Sequence, residues 1–133
     1  MTSDEVVVDS SVFIAAIREE PDAPRLVQRL RLARRRLMSA GNYLESAMVA
    51  EGRLGGRAQL ESWLAREAVT VVPVDLGLAR IAADAFARFG KGHHPAGLNY
   101  GDCFAYALAK SLDAPLLFKG GDFSKTDVRP ALA

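Results

Sequence analysis

Four acidic residues, far apart in the chain, ask for a common explanation. Asp9 follows the apolar run VVV, Glu45 lies in NYLESAMVA, Asp102 opens the apolar stretch CFAYALA, and Asp122 follows LLFKGG. Carboxylates gathered in one place repel: two of them about 5 Å apart do so by roughly 3 kcal/mol at an effective dielectric near 20. Such a cluster takes up protons or binds a cation. Oxygen donors with no cysteine pair beside them favour a hard divalent ion, Mg²⁺ or Mn²⁺. Each acid also has a local role open to it. Asp9 and Asp102 suit helix N-termini, Glu45 the first turn of a capping pair, and Asp122 a turn.

Whether the four can meet depends on the elements that carry them. VVVD (6–9) reads as a short buried strand, and SSVFIAAIRE (10–19) as a helix with Ser10 or Ser11 as its cap. EEPDAP (19–24) is a break with two prolines. RLVQRLRLARRR (25–36) then holds six arginines, with Leu26, Leu30, Ala33 and Leu37 forming an apolar seam at helical spacing. LMSA (37–40) reads as a second strand that Gly41 breaks, and Asn42 as the cap of a helix over 43–54. Gly55–Gly56 separates this helix from another over 57–67. VTVVPV (69–74) is a third strand, with Pro73 marking an end or an edge. Asp75 caps a helix over 76–89, and a glycine-rich loop (90–101) leads to the apolar helix. APLLFKG (114–120) is a fourth strand, and a short edge strand is expected at 127–129.

Short buried strands alternating with helices predict an α/β fold. Its central parallel sheet, of four to five strands, is covered on both faces. In such a sheet the strand C-termini and the following helix N-termini share one edge, where ligands bind. Asp9, Glu45, Asp102 and Asp122 all fall at that edge.

Bulk properties narrow the class. The 133 residues suit a single domain spanning 1–133, half of them hydrophobic and a quarter charged. A net charge of +1 argues against a bulk nucleic-acid binder. The arginine-rich segment is either a solvated helix face or a patch for phosphates or an acidic partner. Cys103 is the only cysteine, so no internal disulfide can form; it reads as a small buried hydrophobe. A cytoplasmic location fits. The opening MTSDEVVVDSS is acidic with a short apolar run, so no signal segment is expected, and no apolar run is long enough for a bilayer.

Four stretches taken in order, VVVDSSVFIAAI, SAGNYLESAMV, LNYGDCFAYALAK and LLFKGGDF, give the chain a recognisable look. It resembles the PIN-domain nucleases, in particular the VapC-type toxins of bacterial toxin–antitoxin pairs. The resemblance implies a three-layer α/β/α sandwich and a metal-dependent endoribonuclease that hydrolyses RNA with Mg²⁺ or Mn²⁺, leaving a 5′-phosphate and a 3′-hydroxyl. It maps the family's acids onto Asp9, Glu45, Asp102 and, more variably, Asp122, with Asp127 a substitute for or helper of the last. Glu45 or Asp102 would hold the attacking water. Ser11 would orient a carboxylate or water, and Asn99 would support the site. A homodimer and a cognate antitoxin that blocks the site are implied as partners.

Lys91, His93, His94 and Lys119 stand beside the proposed site and are candidates for RNA phosphate contacts. They read equally as polar loop and turn residues, and the two histidines lack the spacing of a zinc site. Trp63, Tyr100 and Tyr106 read as structural aromatics. Two other functions compete. One is a PIN-like module that binds RNA or a partner without cutting. The other is a receiver-like signalling domain, whose layout Asp9, Asp75 and Lys119 imitate.

Overall fold

The computed structural model describes residues 4–53 and 55–132. The expected helix end at Leu54 lies outside the described residues. The elements run β1 (Glu5–Val8), α1 (Ser10–Ile17), α2 (Ala23–Arg31), β2 (Arg35–Ser39), α3 (Ala40–Arg53), α4 (Gly56–Arg66), β3 (Val69–Val72), α5 (Leu76–Phe89), α6 (Tyr100–Leu112) and β4 (Leu116–Leu117), followed by a 3₁₀ turn at Phe123–Lys125. All pairings are parallel and the strand order is β3-β2-β1-β4.

Side-chain alternation along the strands builds three layers. Val7, Leu37 and Leu116 point to one face, where α5 and α6 cover them with Ala82, Ala85, Phe89, Ala105 and Leu108. Val6, Val8, Met38 and Leu117 point to the other, where α1 to α4 supply Phe13, Leu30, Ala50, Leu60 and Trp63. Trp63 is core, edge-on to Phe13 with ring centroids 5.5 Å apart. Cys103 is buried, and that burial pushes its thiol up to about 11. Among the described residues no helix is long and apolar enough to cross a membrane.

The structure departs from the sequence reading in four places, each for a local physical reason. The first helix is capped by Asp9 rather than by Ser10 or Ser11, because the Asp9 carboxylate reaches the Ser11 N–H at 3.0 Å. The arginine-rich segment is not one helix: α2 ends at Arg31 and β2 begins at Arg35. Arg36 stabilises that switch by donating to the carbonyls of Ala33, Glu67 and Arg31, at 3.0, 2.7 and 2.9 Å. Arg29 donates to the Ala131 carbonyl, while Arg31, Arg34 and Arg35 pair with Glu67, Asp4 and Glu5. These guanidiniums thus tie together the end of the sheet where β1, β2 and β3 begin.

Third, α3 starts at Ala40, straight out of β2, with the Ser39 hydroxyl accepting from the Gly41 N–H at 3.2 Å. Asn42 is therefore inside the helix and is not its cap. Gly41 instead lets α3 approach α6, since a methyl group there would overlap the Phe104 ring. Fourth, the expected edge strand at 127–129 is a single bridge from Pro130 to Leu116. Its bonds run from the Leu116 N–H to the Arg129 carbonyl and from the Ala131 N–H to the Leu116 carbonyl, both 2.8 Å. Proline, which has no N–H to give, fits such an edge position, and the tail covers the open side of β4.

Candidate active site

At the C-terminal edge of the sheet lies a cavity of about 240 Å³ whose lining includes Asp9, Glu45, Asp102 and Asp122. A larger hollow of about 930 Å³ between α3 and α4 mixes apolar side chains with charges of both signs; its lining includes Met48, Glu51, Arg57 and Glu61. The smaller cavity is the candidate because four acids from four segments face it.

Asp9 arrives at the end of β1, where its backbone N–H donates to the Leu117 carbonyl of β4 at 3.0 Å. Oδ2 caps α1, whereas Oδ1 is buried with no hydrogen-bond partner. The residue is only 5% exposed. Burial foremost raises its pKa to about 7; bonds from Ser11 oppose the rise, and the charges of Asp102 and Glu45 add to it.

Glu45 sits in the second turn of α3, because that helix starts earlier than the sequence suggests. Its Oε1 lies 2.7 Å from the Ser10 hydroxyl and 3.2 Å from Asn42 Nδ2. The Ser10 hydroxyl is also 3.1 Å from the Asn42 carbonyl; with one proton to give, it has Glu45 Oε1 as the nearer of its two acceptors. Asn42 is fully buried and its Nδ2 also donates to the Gly101 carbonyl at 2.9 Å.

Asp102 answers both of its readings. It is the third residue of α6 and closes a capping box: Oδ2 accepts from the Asn99 N–H at 3.0 Å, and Asn99 Oδ1 accepts from the Asp102 N–H at 2.9 Å. It also lines the cavity. Burial, mainly, lifts its pKa to about 6; the Asn99 N–H lowers it, and Asp122 and Glu45 push it further up. Asp122 follows the Gly120–Gly121 turn after β4 and precedes the 3₁₀ turn without capping it.

Ser11 and Lys119 close the rim. The Ser11 hydroxyl accepts from the Lys119 backbone N–H at 2.9 Å, which joins the start of α1 to the segment after β4. The Lys119 ammonium is turned to Glu20 and Asp22. Asp127 is elsewhere: it accepts from the Tyr106 hydroxyl at 2.5 Å and pairs with Lys110 and Arg88 at 3.3 and 3.7 Å. Lys91, His93 and His94 do not line the acidic cavity. His93 packs edge-on to Phe86, and His94 packs on Phe89 while its Nδ1 accepts from the Ala96 N–H. Asp75 caps α5 through the Leu78 N–H at 2.8 Å, after the strand at the far side of the sheet from β4. The receiver-like triad of Asp9, Asp75 and Lys119 therefore does not assemble.

The donor set suits a hard divalent cation, being all carboxylate oxygen, and Asp9 Oδ1 is a buried acceptor with nothing to accept from. Among the described residues, no group of three or more His, Cys, Asp or Glu is already drawn together as a finished coordination shell. The fit is one of donor chemistry and of that orphaned oxygen.

Ser10, Asn42 and Gly101 were not assigned to the site from sequence. Two of them read as caps, and the third only as the glycine before Asp102. Their roles depend on α3 and α6 lying side by side, which no local pattern announces.

Comparison with known proteins identifies the family and the fold. The PIN domain family model matches residues 6–129. Ribonuclease VapC30 of Mycobacterium tuberculosis is 48% identical over 125 residues, covering 92% of this chain and 95% of that protein. The crystal structure of M. tuberculosis VapC20, described as a sarcin-ricin loop cleaving toxin, superposes with a TM-score of 0.70 at 22% identity, covering 94% of this chain and 99% of that one. VapBC2 from Rickettsia felis, solved bound to a DNA fragment from its promoter, gives 0.69 at 13% identity, with 96% and 95% covered. The two structures speak for the fold. With a family match across nearly the whole chain and a relative almost half identical over nine-tenths of it, this chain belongs to the PIN domain family.

Proposed function

We propose that this chain is a divalent-metal-dependent endoribonuclease and the toxin of a toxin–antitoxin pair. The observation that carries the reading is the cavity itself: Asp9, Glu45, Asp102 and Asp122 line it from four segments, and one Asp9 oxygen is buried without a partner. The VapC ribonuclease names of the relatives support RNA as substrate. Asp9, Glu45, Asp102 and Asp122 would hold Mg²⁺ or Mn²⁺. The ion, when bound, supplies charge neutralisation at the attacked phosphate and a water of lowered pKa.

The chain's own residues prepare that chemistry. The Ser11 N–H fixes one Asp9 oxygen, and Ser10 and Asn42 fix one Glu45 oxygen, so each carboxylate keeps its second oxygen for other partners. The capping box likewise uses one Asp102 oxygen and anchors that acid to the rigid start of α6. Lys91, His93, His94 and Lys119 are proposed as outer contacts for RNA phosphates. A protein antitoxin that occupies the acidic cavity and a second copy of this chain are the proposed partners, in the cytoplasm.

The test is incubation of purified, antitoxin-free protein with total cellular RNA in Mg²⁺ or Mn²⁺, with and without chelator. Discrete fragments with 5′-phosphate ends, absent with chelator, are expected. RNA left intact under both metals overturns the reading and leaves a non-catalytic binding module.

A further inference from the structure

We infer that Asn42 and Gly101 form a clamp that sets the position of Glu45, making them positioning residues of the proposed nuclease site. The inference rests on the nuclease reading for its purpose but on geometry for its content. Asn42 is 0% exposed, and its Nδ2 divides its two hydrogens between Glu45 Oε1 at 3.2 Å and the Gly101 carbonyl at 2.9 Å. The opposite atom of the same amide, Oδ1, is buried and without a partner. A buried amide that leaves its acceptor unsatisfied is held by what its donors reach, because reversing it would set Oδ1 against two other oxygens. One side chain thereby ties the Glu45 carboxylate of α3 to the helix turn that carries Asp102.

Gly101 completes the clamp from the other side. The Glu45 carboxylate lies flat against it, and a methyl group at position 101 would overlap both Glu45 oxygens and the carboxyl carbon. Gly101 has the backbone of a regular helix, so conformational freedom does not explain the glycine. Space for the carboxylate does. Without that space Glu45 would swing away from Asp102, and the repulsion between these acids, which helps raise the Asp102 pKa, gives it no reason to return.

Two variants separate a positioning role from a structural one. Asn42→Leu keeps the branched, four-heavy-atom outline of the side chain at a somewhat larger volume and removes both donors. Gly101→Ala meets only the far end of a flexible side chain, so the fold survives while the carboxylate is displaced. Mn²⁺ affinity of each purified protein is measured by water-proton relaxation, alongside thermal unfolding and RNA cleavage. Both variants are expected to bind Mn²⁺ roughly 10- to 100-fold more weakly, the size of effect seen when a group that orients a metal ligand is lost. In a Glu45→Gln background neither change should weaken binding further, because each acts through Glu45.

Wild-type Mn²⁺ affinity in both variants overturns the clamp and leaves the nuclease reading standing, and so does additional weakening in the Glu45→Gln background. Weakened Mn²⁺ binding in a protein that never cleaves RNA keeps the clamp and removes the nuclease. Absence of Mn²⁺ binding by the wild type removes both.

Discussion

Asp9 is the group whose burial has the largest measurable consequence. Its carboxyl ionises at about 7 in the folded chain against the ordinary aspartate value of 3.8. The sign follows from proton counting: between those two values the folded state holds more protons than the unfolded state, so stability falls as pH rises. Between pH 5 and pH 8 the metal-free protein should therefore lose about 2–3 kcal/mol from Asp9 alone. Asp102, also raised, acts in the same direction. The assay is urea unfolding at both pH values in chelator. Asp9→Asn keeps a carbonyl oxygen for the Ser11 N–H and has no charge to bury, so its stability should decline clearly less over the same interval. Saturating Mn²⁺ at pH 8 should restore the wild type and not the variant. A wild-type stability that is flat or rises from pH 5 to pH 8, or an equal decline in Asp9→Asn, refutes the reasoning.

Asp102→Asn should abolish RNA cleavage while circular dichroism stays native, since an asparagine carbonyl can still accept from the Asn99 N–H; wild-type rates would mean the site is misplaced. Asp122→Asn should weaken Mn²⁺ binding whereas Asp127→Asn should leave it unchanged, because Asp127 is engaged with Tyr106, Lys110 and Arg88; a titration that reverses this order would contradict the placement. Gly41→Ala should destabilise the fold by about 1–3 kcal/mol, as overpacking between α3 and the Phe104 ring of α6 does, with the loss read from denaturant midpoints.

The parallel sheet and its acidic edge were legible because their signals are local. Runs such as VVV and VTVV alternate with helical patterns, and each acid lies just after a strand or within the first two turns of a helix. Parallel strands then leave one edge for all four. Three things were hidden. The helical period of Leu26, Leu30 and Ala33 runs on into Leu37, so nothing in the pattern marked Arg35 and Arg36 as strand; carbonyls from Arg31, Ala33 and Glu67 decide it. Asn42 and Ser10 have the composition of caps, and only the packing of α1, α3 and α6 gives their side chains the Glu45 carboxylate and the Gly101 carbonyl. Asp122 and Asp127 could not be ranked from spacing, because a turn of a few residues can aim either one inward. The fold sends Asp122 to the cavity and Asp127 to a basic cluster on α5 and α6.

The most direct measurement is a Mn²⁺ titration of the purified chain followed by water-proton relaxation, repeated on Asp9→Asn and Asp102→Asn. Saturable binding by the wild type is expected, and both substitutions should abolish it or weaken it by at least about tenfold. Absence of saturable binding, or binding that survives both substitutions unchanged, would contradict the proposed metal site.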